Sequence, residues 1–385
     1  MRYVDLGVIN QTSLDKKRKK RKRIIISVIF FLAISIICYV SYAFYWPIST
    51  LIREVFKNPG DVLSFFREPT GELKSTDGKT NFLLLGIDKR ANVQYSFVGP
   101  SGREERNGFL SDTIIILSVD LNSKQTSMIS IPRDTWISIP GWASFSASSG
   151  KINSVYSLGD MYGYPGGGLK LAEKVVSNHL GIPIHYGARI DFEGFKKGID
   201  TLGGIDVVVD KTFDDYQYPA EGKETAICSD GTFNCRFLHL HFNAGSTHMD
   251  GETALRYVRS RSGTNGEGSD FARARRQQKV IQAAMKKATS MGNLLDPFKL
   301  NRLFREFGKA VETDFDLKSL PKIIKLAKEV KIDTVRTLVL EPSSGLMIHP
   351  DPASYGGAYV IVPKRNWDEI KIKVKEFLNP PAVKQ

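Results

Sequence analysis

An α/β fold, in which helices pack on the faces of a sheet behind one membrane-spanning helix, is what this 385-residue sequence predicts. Three observations predict it. Short apolar runs rich in β-formers recur at 81–88, 113–120 and 125–131. Segments 168–180 and 192–202 carry apolar residues at helical spacing, and a further strand-like run, IDVVVD (205–210), follows the second. Near the amino end, Ile24 to Ile48 is a run of 25 residues without a charge. Composition agrees with a folded protein, at 42% hydrophobic and 25% charged.

Taken in order, Lys16 to Arg23 is eight consecutive cations, and the apolar run follows directly. Cations flank spanning helices on the cytoplasmic side, so the amino terminus is expected inside the cell membrane, and the chain beyond about residue 49 outside it, in a single pass. A cleaved signal peptide would have a shorter apolar region and a small-residue cleavage site, whereas this run ends in Tyr42, Phe44, Tyr45 and Trp46. Residues 1–23 hold nine basic and two acidic side chains, so about half of the formal charge of +13 sits there. The rest is only mildly basic, and no nucleic-acid partner is expected.

Residues 49–79 read as a stalk. NFLLLGID (81–88) reads as a buried strand with Asp88 at its carboxyl end, 91–110 as a polar loop, and 113–120 with 125–131 as a pair of strands joined at Asn122 and Ser123. The helix over 168–180 rests on Leu169, Ala172, Val175, Val176 and Leu180, and that over 192–202 stops at Gly203 and Gly204. Residues 211–249 read as irregular. Helices are expected at 251–258, from Asp270 to about 290, and at 297–312, 317–331 and 366–378, with strands at 334–340 and 358–362. The organisation expected is therefore a basic tail (1–23), a transmembrane helix (24–48), the stalk (49–79), a main domain (80–290) and residues 291–385 as a C-terminal α/β extension or a continuation of that domain.

Cys38 lies in the apolar run, which leaves Cys228 and Cys235, with the turn pair Asp230-Gly231 between them. They would form a disulfide in an oxidising compartment and remain free thiols otherwise. His239 and His241 follow closely, but no spacing completes a metal tetrad.

The richest chemistry lies between Asp250 and Gln278, with six arginines against four acids. Arg259 and Arg261 follow one short helix and stand two apart, so an extended segment would point both the same way; Arg273, Arg276 and Gln277 share a face of the next helix, which Asp270 is expected to cap; a Gly/Ser/Asn loop (262–269) lets the two groups converge. Guanidinium forks bind phosphate in a bidentate way and stay charged, so this would be a site for a polyanion such as pyrophosphate, although a solvated basic helix has the same composition. Asp88 and Asp112 at strand ends, with Arg133 after another strand, suit a magnesium ion bridged to phosphate oxygens; either aspartate alone would read as a turn or cap residue. A P-loop is absent, since Leu169 stands where Gly163 to Lys170 would need a Gly-Lys pair, and GxSxG and HExxH are absent too.

In this order, GIDKR (86–90), SDT (111–113), SIPRDT (130–135), KIN (151–153), DFEGFKKGIDTLGGIDVVV (191–209), GETALRYVRSR (251–261) and DFARARRQQ (270–278) resemble the LytR-CpsA-Psr family. The resemblance covers about residues 81–288. It implies a mixed α/β domain with a deep apolar pocket for a polyprenyl chain and the pyrophosphate at its mouth. It further implies transfer of a glycopolymer from that lipid to peptidoglycan, with Mg²⁺. Position by position, Asp88 and Asp112 look like the metal-facing aspartates, and Arg133, Arg259, Arg261, Arg273 and Gln277 like the pyrophosphate contacts; Asp88, Asp112, Arg133, Arg259 and Arg261 are the expected catalytic set. The family often has arginine before SDT, whereas Leu110 stands here, so one phosphate contact is either missing or replaced by Arg90, Arg103 or Arg106. No histidine is placed as a base; Asp88 and Asp134 are the candidates. A non-catalytic binder of the same lipid or glycan, and a hydrolase of the pyrophosphate linkage, share these residues.

Overall fold

The computed structural model describes residues 72–88, 96–98, 104–106, 109–223, 226–290, 310–315 and 319–380, all within one compact unit, Gly71–Gln385. The basic tail, the expected transmembrane helix and most of the stalk lie outside the described residues.

A six-stranded mixed sheet organises the unit. Its strands are β1 (Lys79–Ile87), β2 (Ser111–Asp120), β3 (Gln125–Ser130), β4 (Tyr186–Asp191), β5 (Val311–Thr313) and β6 (Lys331–Val339), in the spatial order β5-β4-β1-β2-β3-β6. β1 and β3 pair antiparallel to β2, and β5 to β4, while β4 runs parallel to β1 and β6 parallel to β3. The hairpin expected between β2 and β3 is present, with its turn N–H groups at Asn122 and Ser123 donating to the Asp120 carboxylate.

Central strands have two buried faces, which is why 81–87 reads as an almost unbroken apolar run. Leu83 and Leu85 of β1, Ile114 and Ile116 of β2 and Ile129 of β3 join a core with α1 (Val155–Met161), α2 (Gly167–Leu180) and the carboxyl-terminal α7 (Trp367–Leu378). Helix α2 supplies Leu169, Leu171, Val175 and Val176, each buried, at about 1.5–3 kcal/mol apiece. It ends at Gly181, whose φ of +67° only glycine adopts freely and whose N–H returns to the Ser177 carbonyl. On the opposite face Phe82, Val119 and Tyr186 meet Leu326 of α6 (Leu320–Glu329).

A second core joins α3 (Phe192–Thr201), α4 (Gly251–Arg259) and α5 (Asp270–Ser290) to two strand pairs. Asp191 and Asp250 cap α3 and α4, accepting from Gly194 N and Thr253 N at 2.9 and 2.8 Å. Gly251 lets α4 approach α3, because a Cβ there would stand 2.2 Å from the Lys196 carbonyl oxygen.

Two expectations are corrected, and of the two alternatives for residues 291–385 the continuation of the main domain is the one observed. Residues 211–249 are largely β: 213–219 pairs with 237–242, and 245–249 pairs with 205–209, outside the main sheet. One side of the 213–219 and 237–242 ribbon is buried, at Phe213, Tyr218, Leu240 and Phe242, and a register shift between Asp215 and Tyr218 breaks the alternation of the first strand. The boundary at 290/291 does not divide the fold, since β5 and β6 form both edges of the main sheet and Ile370, Val374 and Leu378 of α7 complete its first core. Residues 311–313 are strand rather than the end of a helix; the expected helix from 297 lies outside the described residues up to 309.

The strand edge at β5 is latched to α2 by charge. Lys170 bridges Glu173 and Asp314, and Asp314 also accepts the Gly187 N–H at 2.6 Å. Burial pushes the Glu173 carboxyl up to about 7, Lys170 opposing and Asp314 adding to the rise. A carboxyl raised in the folded state contributes stability that is full below its ordinary value of 4.5 and lost as pH rises towards 7. Thermal denaturation across that window should show this decline, and Glu173→Gln should flatten it; an unchanged slope in the variant would remove Glu173 as its source.

Candidate active site at the mouth of an apolar cavity

A cavity of about 1270 Å³ lies between the second face of the sheet and helices α3, α4 and α5. It is larger than the roughly 300–1,000 Å³ of ordinary small-molecule pockets. Leu84, Ala188 and Ile190 line it from the sheet, Phe195 and Ile199 from α3, Leu202 from just past its end, Leu255 and Val258 from α4, and Val280, Ile281, Ala284 and Met285 from α5. Such a wall suits a long apolar ligand and offers little to a sugar or nucleotide.

At the mouth the lining becomes charged. Asp88, Asp112, Arg133, Arg259, Arg261, Arg273 and Gln277, the seven residues singled out in the sequence, all line this one cavity. β1 and β2 stay in register up to Gly86 opposite Thr113, and the next pair is Ile87 with Ser111, so Asp112 is the extra residue of a β-bulge. Asp112 and Thr113 both line the cavity at this bulge.

Arg133 donates to Asp112 at 2.9 Å, with Asp134 at 3.4 Å and Asp270 at 3.7 Å. Burial pulls its pKa down, but the Asp112, Asp270 and Asp134 carboxylates outweigh this and hold it above the ordinary value. Arg259 lies 4.2 Å from the Phe192 ring, donates to the Tyr218 hydroxyl at 3.1 Å and stands 3.9 Å from Asp88. Arg261 is half exposed and pairs with Asp270 at 3.2 Å. Arg273 pairs with the same carboxylate at 3.1 Å, and burial pushes its pKa down to about 10, leaving it a cation at neutral pH. Guanidiniums desolvated and spaced by carboxylates in this way are set for an anion with several oxygens.

Two local expectations change. Ser269, not Asp270, caps α5, its hydroxyl accepting from Ala272 N at 3.0 Å; this frees Asp270 to gather Arg133, Arg261 and Arg273. Arg276 does not face the cavity with Arg273. It donates to the carbonyls of Tyr257 and Glu267 at 2.9 Å each, to that of Ser260, and to the Glu267 carboxylate. Asp270, Lys151 and Tyr359 also line the mouth, and sequence reasoning did not assign them a site role. Lys151 lies within the KIN motif and holds Asp134 at 2.6 Å, so the motif was the available signal. Arg90 and Arg103 lie outside the described residues, as does the side chain of Arg106. Among the described residues, no group of three His, Cys, Asp or Glu side chains could hold a metal by itself. Cys228 and Cys235 form a disulfide across the loop between the 213–219 and 237–242 strands.

The model of the LytR_cpsA_psr family matches residues 61–376. The chain is 33% identical over 244 residues, 63% of its length and 61% of the relative's, to the polyisoprenyl-teichoic acid–peptidoglycan teichoic acid transferase TagU of Oceanobacillus iheyensis. It is 30% identical over 278 residues, 70% of its length and 60% of the relative's, to the transferase of the same description, TagV, from Bacillus subtilis. The chain thus spans about three-fifths of these relatives. The crystal structure of B. subtilis TagV superposes with a TM-score of 0.53 at 25% identity, covering 79% of this chain and 98% of that one.

Proposed function

This chain belongs to the LytR_cpsA_psr family, and from that premise we propose that it transfers a glycopolymer from a polyprenyl-pyrophosphate carrier to peptidoglycan. The observation that carries the reading is the junction, in one cavity of about 1270 Å³, of an apolar wall with Arg133, Arg259, Arg261 and Arg273. An amphiphile with a hydrocarbon chain on one side of a pyrophosphate matches both halves at once, and the names of the relatives point to the same class of lipid.

In this reading the polyprenyl chain fills the bore, and Arg133, Arg259, Arg261 and Arg273, with Gln277, hold the pyrophosphate. A hydroxyl of the acceptor sugar attacks the phosphorus that bears the glycan. A new P–O bond forms, the bridging P–O bond breaks, and polyprenyl phosphate leaves. Phosphoryl transfer depends mainly on positioning and on charge stabilisation, which fixed guanidiniums supply. Asp88 and Asp134 are the candidate acceptors for the hydroxyl proton.

Mg²⁺ fits this donor set in one way. Since no trio of acidic, His or Cys side chains among the described residues could bind it, the ion would be held by Asp88 and Asp112 together with phosphate oxygens and water, a coordination typical of magnesium. When bound it would neutralise charge on the phosphates. Peptidoglycan as acceptor and the disulfide favour a domain outside the cytoplasm, tethered to the cell membrane by the 24–48 segment with the amino terminus inside.

Filling the bore tests the reading. Ala284→Trp should weaken binding of a long-chain polyprenyl pyrophosphate by at least about tenfold, since each methylene excluded from apolar contact costs roughly 0.8 kcal/mol. Inorganic pyrophosphate, which needs only the mouth, should bind as before. Equal binding of the long-chain lipid by the variant and the parent would contradict the assignment of the bore.

A further inference from the structure

The carboxyl-terminal segment adds an aromatic group to this mouth. Trp136 N donates to the Ile361 carbonyl at 2.8 Å, and Ile361 N to the Asp134 carbonyl at 3.0 Å, so residues 359–361 dock on the turn that carries Arg133. Tyr359 lines the cavity mouth and yet is 53% exposed, so packing does not account for its ring.

The phenol is nonetheless held in one place. Its hydroxyl lies 3.1 Å from His349 Nε2, the two rings are 4.7 Å apart, and Phe271, the neighbour of Asp270, lies 6.2 Å from His349. His349 Nδ1 faces the Val360 carbonyl at 3.3 Å, and a carbonyl can only accept. In the neutral imidazole Nδ1 therefore carries the proton, Nε2 accepts, and Tyr359 donates. Burial, with Asp270 and Asp134 nearby, raises the phenol above its ordinary value and keeps that proton in place. The phenol oxygen then retains lone pairs for a donor from solvent, and the exposed ring face offers π-density to C–H groups.

We propose that Tyr359 binds a saccharide ring beside the arginines, with its ring under the sugar and its oxygen accepting from a sugar hydroxyl, and that His349 is the positioning residue for the phenol. The inference rests on the pyrophosphate reading above, which puts sugar next to the phosphates. That sugar belongs either to the lipid-linked donor or to the peptidoglycan acceptor.

The full-length protein is tested with polyprenyl pyrophosphate, the same lipid carrying one sugar, and peptidoglycan fragments. If the sugar is the donor's, Tyr359→Ala binds the sugar-bearing lipid about tenfold more weakly, the scale of a lost aromatic contact, and the bare lipid as before. If the sugar is the acceptor's, the loss is instead about tenfold in KM for the fragment at unchanged kcat. Tyr359→Phe, which keeps the ring, retains most of the binding in either case. Parental affinity and KM in Tyr359→Ala would overturn the assignment. Failure of the parent protein to bind the bare lipid would overturn the pyrophosphate reading instead.

Discussion

Arg259→Ala is expected to lower glycan transfer by about 10²–10³-fold, the range for loss of one preorganised donor at a developing charge. Arg259 ends α4 with its guanidinium against the Phe192 ring, fixed by the Tyr218 hydroxyl and facing Asp88. It is held before any ligand arrives and needs no reorganisation to meet a phosphate oxygen. Arg259→Lys should recover little, because an ammonium cannot reproduce the planar fork. The fold should survive either change, as the guanidinium sits at the cavity surface and a cation–π pair contributes only about 0.5–2 kcal/mol. Normal turnover in a variant with parental melting temperature would remove Arg259 from the site.

Arg276→Ala is expected to act on stability. Its side chain is 2% exposed and satisfies three backbone carbonyls and the Glu267 carboxylate, with the Phe213 and Tyr257 rings close by. Burial lowers its pKa, and Glu267 opposes that shift. Removing one partner of a buried pair strands the other, at about 3–5 kcal/mol. For a domain of this size that is a fall in melting temperature of roughly 10 °C. Glu267→Gln in the same chain should restore part of it, since the stranded charge is then gone. A melting temperature within a degree or two of the parent would contradict this role. The two arginines lie on consecutive helices of one motif-rich stretch, and only burial separates their tasks.

That separation marks the limit of what the sequence disclosed. Strands with two buried faces and helices with a clear apolar stripe were legible, because period and composition report them directly: β1 to β3, α2, α3 and α7 are of this kind. The ribbons at 213–219 and 237–242 were not: FLHLHF alternates as a half-buried strand does, but its partner FDDYQYP loses the alternation at the register shift between Asp215 and Tyr218. The seven candidate residues were picked out by charge, spacing and motif resemblance, and they line one cavity. Their geometry was hidden. Nothing in SDT announces a bulge at Asp112, DFARARRQQ does not say that Ser269 replaces Asp270 as the cap, and helical spacing grouped Arg276 with Arg273 although neighbouring carbonyls draw it inward. The last ninety or so residues carried no motif, and so their part in both sheet edges and at the mouth, through Tyr359, depended on contacts between segments far apart in sequence.

The most direct measurement follows the glycan. The full chain is incubated with a polyprenyl-pyrophosphate-linked glycan, Mg²⁺ and peptidoglycan fragments, and the products are identified by mass spectrometry. The expected result is glycan joined to peptidoglycan through a phosphodiester, with polyprenyl phosphate released, and loss of both products in Arg259→Ala. Glycan phosphate released to water, or lipid bound without turnover, would contradict it.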